Sequence, residues 1–251
     1  MKVASLLQSE IPEYTTVLPI TGREVCFRPY LVREEKVLLL ALQEGTERAI
    51  LTGIKTLIQS CTKDVDDAGD LVMGDLEHLF LHLRGKSVGE SMEPHIICPF
   101  TEKQIATKIN INDIKLSGDA PSPKIKLDEN VGITMTLPTI NILQKTKVKK
   151  IADLEKDIDG FFSLIAYCIT EIWTKEEVFP AKEISKNEIQ EFIEAMTVEQ
   201  FDKVLAFFKN APKLQYKLKY KIPYSPEELE EKNPQILENT INLEGLSDFF
   251  G

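Results

Sequence analysis

Apolar residues recur along this chain with a period that changes several times, and each change marks an element. Residues 11–20 and 24–28 read as short strands on either side of Thr21-Gly22, a hairpin by composition and spacing. Pro29 ends the extended segment, because the residue ahead of a proline is pushed out of the α region. Arg33, Glu34, Glu35 and Lys36 then fill the first turn of a helix, and an unbroken apolar run over residues 37–42 follows. Leu31, Leu38 and Leu42 share a face at helical spacing, with Leu39 beside them, so a core helix with a solvated first turn is expected. The chain that follows is expected to cover that face.

Gly45 is placed as the stop of this helix and Thr46 as the cap of the next, whose buried stripe is Ile50, Ile54, Leu57, Ile58 and Cys61. Asp75 is expected to cap a further helix that ends at a left-handed Gly85, with Leu76, Leu79, Phe80 and Leu83 inward. Residues 92–98 and 105–111 bracket a turn as a hairpin, and residues 131–137 alternate as another strand, stopped by Pro138. Ile158, Phe161, Phe162, Ile165, Ile169, Ile172 and Trp173 fall on one face of a single long helix. Ser185 with Glu188 and Thr197 with Gln200 are capping boxes that open two more helices. Leu214, Tyr216, Leu218, Tyr220 and Ile222 alternate as a half-buried strand with lysines on its other face, and residues 236–243 return as its partner. The expected fold is α+β. N-terminal hairpins and helices surround one core in residues 1–145, and a helical half, residues 146–251, is closed by a small antiparallel hairpin.

A chain of 251 residues that is 43% hydrophobic and 28% charged belongs with folded globular proteins. The net charge of -10 counts against binding driven by phosphate neutralisation, so nucleic acid is not the expected partner. The basic stretches that a nucleic-acid-binding adaptor would use are Lys145, Lys147, Lys149 and Lys150, and the lysine face of residues 213–221. Cys26, Cys61, Cys98 and Cys168 stand singly in apolar sequence, which points to reduced thiols in a cytoplasm. No apolar run is long enough to span a bilayer, so no membrane partner is expected. The acidic residues 64–70 lack the spacing of a calcium loop and read as solvated. His78 and His82, four apart with Asp75 on the same side, are the nearest approach to a metal site and would belong to a metal-dependent hydrolase. No glutamate completes HExxH, and His95 is the only other histidine, so no metal is expected. Glycine-rich phosphate loops and a GxSxG elbow are missing too, and neither a catalytic residue nor a cofactor is expected.

Two stretches carry a resemblance: Phe27-Arg28-Pro29-Tyr30-Leu31-Val32-Arg33-Glu34-Glu35-Lys36 and Leu79-Phe80-Leu81-His82-Leu83-Arg84-Gly85-Lys86-Ser87-Val88-Gly89-Glu90. In these the chain resembles the T4-like bacteriophage baseplate hub family. Tyr167-Cys168-Ile169 with Ile172, the helix start at Glu188, Phe207-Phe208 before Ala211-Pro212, and residues 243–250 look like its remaining landmarks, in order. The resemblance implies a non-enzymatic hub subunit or hub assembly factor of a contractile tail. Such a protein is present in the host cytoplasm during assembly or in the virion tail baseplate, and it binds other hub proteins. Relatives often carry paired cysteines at the turns near Pro99 and Pro223, where this sequence has only Cys98. Leu246, Phe249 and Phe250, large apolar groups in the final six residues, are expected to be covered, either as a lid docked on the chain's own domain beside residues 216–222 or, as candidate partner contacts, by another hub protein.

Overall fold

The structure, a computed structural model, describes residues 11–146, 157–232 and 236–245. Strands β1 (Tyr14–Val17) and β2 (Glu24–Phe27) pair antiparallel, and Gly22 takes a left-handed φ of +68° in the turn between them. Helices α1 (Val32–Glu44) and α2 (Glu47–Cys61) follow, separated as expected by a left-handed Gly45 and a Thr46 cap that accepts the Ala49 N–H.

Helix α3 (Met73–Val88) corrects the expected stop at Gly85. It continues through that residue and ends at Gly89, where φ is +109°. The Ser87 hydroxyl donates to the Leu83 carbonyl at 2.6 Å inside this extra turn. Asp75 is not the cap either. Fully buried within the helix, it accepts from the Ile20 N–H at 2.7 Å, the Thr21 N–H at 3.1 Å and the Thr21 hydroxyl at 2.7 Å, and so clamps the β1–β2 turn.

The second hairpin is present but split into short ladders. Of β3 (Ser91–Met92), β4 (Ile96–Ile97), β5 (Gln104–Ile105) and β6 (Ile109–Asn110), β3 pairs with β6 and β4 with β5. Next come β7 (Lys115–Ser117), β8 (Lys124–Lys126), β9 (Val131–Met135) and α4 (Ile140–Lys145). The expected long helix is also corrected: α5 (Ile158–Cys168) gives way to strand β10 (Ile169–Thr174), held between β9 and β11 (Val178–Pro180). Ile169, Thr170, Ile172, Trp173 and Thr174 are β-branched or aromatic, and pairing on both edges outweighs their helical spacing.

Helices α6 (Lys186–Glu194) and α7 (Val198–Lys209) open on the two expected capping boxes. The chain then forms β12 (Lys213–Lys221), α8 (Pro226–Lys232) and β13 (Glu238–Glu244). β12 pairs with β13 from Gln215 to Lys221 and with β7 from Lys213 to Gln215.

Three apolar clusters lie between these elements. The first packs Leu18 and Phe27 of the N-terminal hairpin on Ile54, Leu57, Ile58, Leu76, Leu79 and Phe80. The second joins Ile133 and Leu143 to Leu164, Ile165, Ile189, Val204 and Phe207. The third joins Leu81, Cys98, Ile105 and Ile109 to Leu214, Leu218, Tyr220 and Leu243. Strand pairing β9–β10 and β7–β12, like the second and third clusters, runs across residue 145. All four cysteines are free thiols, and Cys61, Cys98 and Cys168 are buried.

Candidate interaction surface

Pro29 breaks the strand, and a polar joint fixes the direction in which α1 leaves it. The Arg28 guanidinium donates to the Pro29 carbonyl at 3.0 Å, the Ser60 carbonyl at 2.9 Å and Glu34 Oε1 at 3.0 Å. Glu34 also takes Arg33 Nε at 2.6 Å and, through Oε2, the Leu31 N–H at 2.7 Å. That last bond is half of a capping box, since Leu31 has no side-chain acceptor to complete it. Burial alone would push the Glu34 carboxyl up, but the bonds from Arg33, Arg28 and the Leu31 N–H outweigh it and hold the group at about 2. The Tyr30 N–H donates to the Ser87 hydroxyl at 2.9 Å, so the two stretches that carry the family resemblance meet here.

The joint sets α1 down on an unexpected side. A Cβ added at Gly53 of α2 would lie 2.8 Å from the Ala41 Cβ, so the helices touch where both side chains are small. Ala41 and Glu34 are the buried residues of α1, and Leu38 packs partly on the first core. The opposite side faces water: Val32 is 80% exposed, Leu39 58% and Leu40 55%. This corrects the expectation of a core helix whose face the later chain would cover. The run over residues 37–42 is apolar all the way round, so it has no single inward face. Where the Ala41–Gly53 contact falls decides which side stays open. Val32 and Leu39, seven positions apart, share a face with Leu40 beside it. This adjoining apolar group is the candidate contact surface.

His78 and His82 lie elsewhere, on the side of α3 that meets the N-terminal hairpin. Their rings lie 4.2 Å apart, and His78 Nε2 is 3.0 Å from the Thr16 hydroxyl. They are half-buried rather than on an exposed outer face. Burial, then the neighbouring His82, pushes His78 down to about 4. His82 is lowered as well, by burial and then by Lys86, with Glu90 acting in the opposite sense. Asp75, expected on the same side, spends both oxygens on the β1–β2 turn. Among the described residues no group of three or more His, Cys, Asp or Glu stands together as a metal site.

The acidic loop is bound rather than freely solvated, because Asp67 accepts from Asn141 at 2.8 Å and pairs with Lys55 at 2.9 Å. Those bonds, Asn141 first, hold its carboxyl down to about 2. The turns near Pro99 and Pro223 do come together: Cys98 Sγ is 3.6 Å from the Tyr220 hydroxyl, and Lys103 pairs with Glu228 at 2.6 Å. Of the basic stretches, Lys145 closes α4, and Lys213, Lys217, Lys219 and Lys221 line the outward side of β12. Lys147, Lys149 and Lys150 lie outside the described residues, as do Leu246, Phe249 and Phe250.

The molecule is thus an α+β protein of small antiparallel sheets with one helix presenting leucines to water. A family model described as T4 bacteriophage base plate protein matches residues 11–251, and the chain belongs to that family. It is a structural protein of the phage tail baseplate, where its contacts are with other baseplate proteins. Searches of curated proteins and of solved structures returned no match. No helix among the described residues is long and apolar enough to cross a membrane.

Proposed function

We propose that this baseplate protein is a hub subunit or hub assembly factor that works without catalysis, by seating the outward face of α1 against another hub protein. The exposed group Val32, Leu39 and Leu40, on a helix fixed from behind by Arg28, Glu34 and the Ala41–Gly53 contact, carries the reading. Covering three such side chains is worth of order a few kcal/mol, the scale of a small hot spot. A helix held rigid before binding loses little further entropy on docking. The hub assignment draws on the resemblance at residues 27–36 and 79–90, the stretches that build and brace this joint. Leu246, Phe249 and Phe250 are proposed as a second apolar contact on the character of their side chains alone. Assembly takes place in the host cytoplasm in this reading.

Mass spectrometry of purified virions tests the role. A fixed small ratio to other baseplate proteins is expected of a subunit. Absence from virions, together with a requirement for the chain in infected cells, is expected of an assembly factor. Normal baseplates formed without the chain would overturn both.

A further inference from the structure

The sheet β7–β12–β13 has one side on the third core, through Leu214, Leu218, Tyr220 and Leu243, and one side turned outward. Along the centre of the outward side run Lys213, Gln215, Lys217, Lys219 and Lys221. Across the ladder from them stand Glu244 opposite Gln215, Asn242 opposite Lys217, Thr240 opposite Lys219 and Glu238 opposite Lys221. Glu244 is already engaged, with Gln215 at 2.9 Å and Lys213 at 3.6 Å. Lys217 and Lys219 face neutral side chains, and among the described residues no ion pair forms with either of them or with Lys221. Alternate residues on a strand are about 7 Å apart, within the roughly 8 Å screening length at physiological salt, so these like charges repel one another. A chain with a net charge of -10 has carboxylates to spare, yet the positions that would relieve this row are Asn242 and Thr240.

We infer that this outward face docks a short acidic segment of another baseplate protein, whose carboxylates supply the missing counter-charge at Lys217 and Lys219. The inference rests on the reading of the chain as a baseplate contact protein and adds a second, electrostatic surface to the apolar one on α1. Glu238 and Glu244 bracket the lysine row at both ends of β13, which limits it to about 20 Å. That length suits a few carboxylates on an extended peptide. A continuous polyanion such as DNA would run on past the lysines into both glutamates, and the net charge of the chain would oppose it further.

Zero-length carbodiimide cross-linking of baseplates assembling in infected cells, with the linked peptides read by mass spectrometry, tests this. The expected result is amide links from Lys217 or Lys219 to Asp or Glu of another baseplate protein. A Lys217→Glu/Lys219→Glu variant should melt like the wild type, since both side chains point outward, and its links from the unchanged Lys221 to the same partner carboxylates should fall about tenfold. Links from these lysines confined to carboxylates of this chain would overturn the inference. So would retention of a 20-base-pair duplex DNA probe by the wild type and not by the variant at physiological salt. If links to baseplate proteins form through other residues but not through this row, the acidic docking fails while the baseplate contact reading stands. If no residue of the chain links to a baseplate protein, that reading fails with it.

Discussion

Gly85 sits inside a helix and Gly89 ends it, so the same substitution should act in opposite directions at the two positions. A Cβ at Gly85 would make ordinary contact with Glu90 at 3.7 Å and Ile111 at 4.0 Å, and Gly85→Ala should stabilise by roughly 0.5–1 kcal/mol. Gly89→Ala forces φ of +109° on a side chain that avoids it, and should destabilise by about 1–2 kcal/mol. Thermal melts check both, and shifts of the same sign would contradict the assigned helix end. His78 gives a pH dependence. Its folded value of about 4 lies below the ordinary 6.5, so between those values the unfolded chain binds the proton and the folded chain does not. Stability should therefore fall as pH drops through that window, by about 1–2 kcal/mol from this group, and the lowered His82 adds to the same trend. Urea melts of His78→Gln at pH 4.5 and 7 should differ less than those of the wild type; an unchanged difference would contradict the assignment. The spacing of the two histidines was legible as one helix face, but their burial was not. It comes from Thr16, on a strand 62 residues away in sequence.

At the scale of elements, the caps Thr46, Ser185 and Thr197 were legible because they bond to N–H groups only three residues on, whereas Asp75 bonds across to the β1–β2 turn and caps nothing. The register of β10 was not, because its apolar residues fit a helical face as well as a strand. What decides is a pair of neighbouring strands, one of which comes from far earlier in the chain. Trp173 makes this testable, being the only tryptophan. Its ring covers Gly132 of β9 so closely that an added Cβ would lie 2.1 Å from it. Gly132→Ala must evict the ring, with an expected red shift of the emission and a loss of about 1–3 kcal/mol. An unchanged emission maximum would contradict the β9–β10 register. The outward side of α1 was hidden for a related reason. The small pair that orients the helix, Ala41 and Gly53, sits on two different elements, and neither residue marks an inward face by itself.

The whole molecule reads as cores knitted across the chain, with β9 on β10 and β7 on β12 joining its earlier and later parts. The α+β class and the family were legible because local patterns and the residues of the Pro29 joint recur in order along the sequence. The proposed contact surface was not, since an apolar run is written the same way whether it faces a core or a partner. The account depends on that surface being a contact and not a piece of the core. The most direct test is the yield of assembled baseplates when a Leu39→Glu/Leu40→Glu variant replaces the wild-type chain in infected cells. Both side chains are more than half exposed, so the purified variant should match the stability of the wild type to within about 0.5 kcal/mol. The prediction is a stable, folded variant with baseplate yield reduced at least to the level seen without the chain. A folded variant that builds baseplates at the wild-type yield would contradict it.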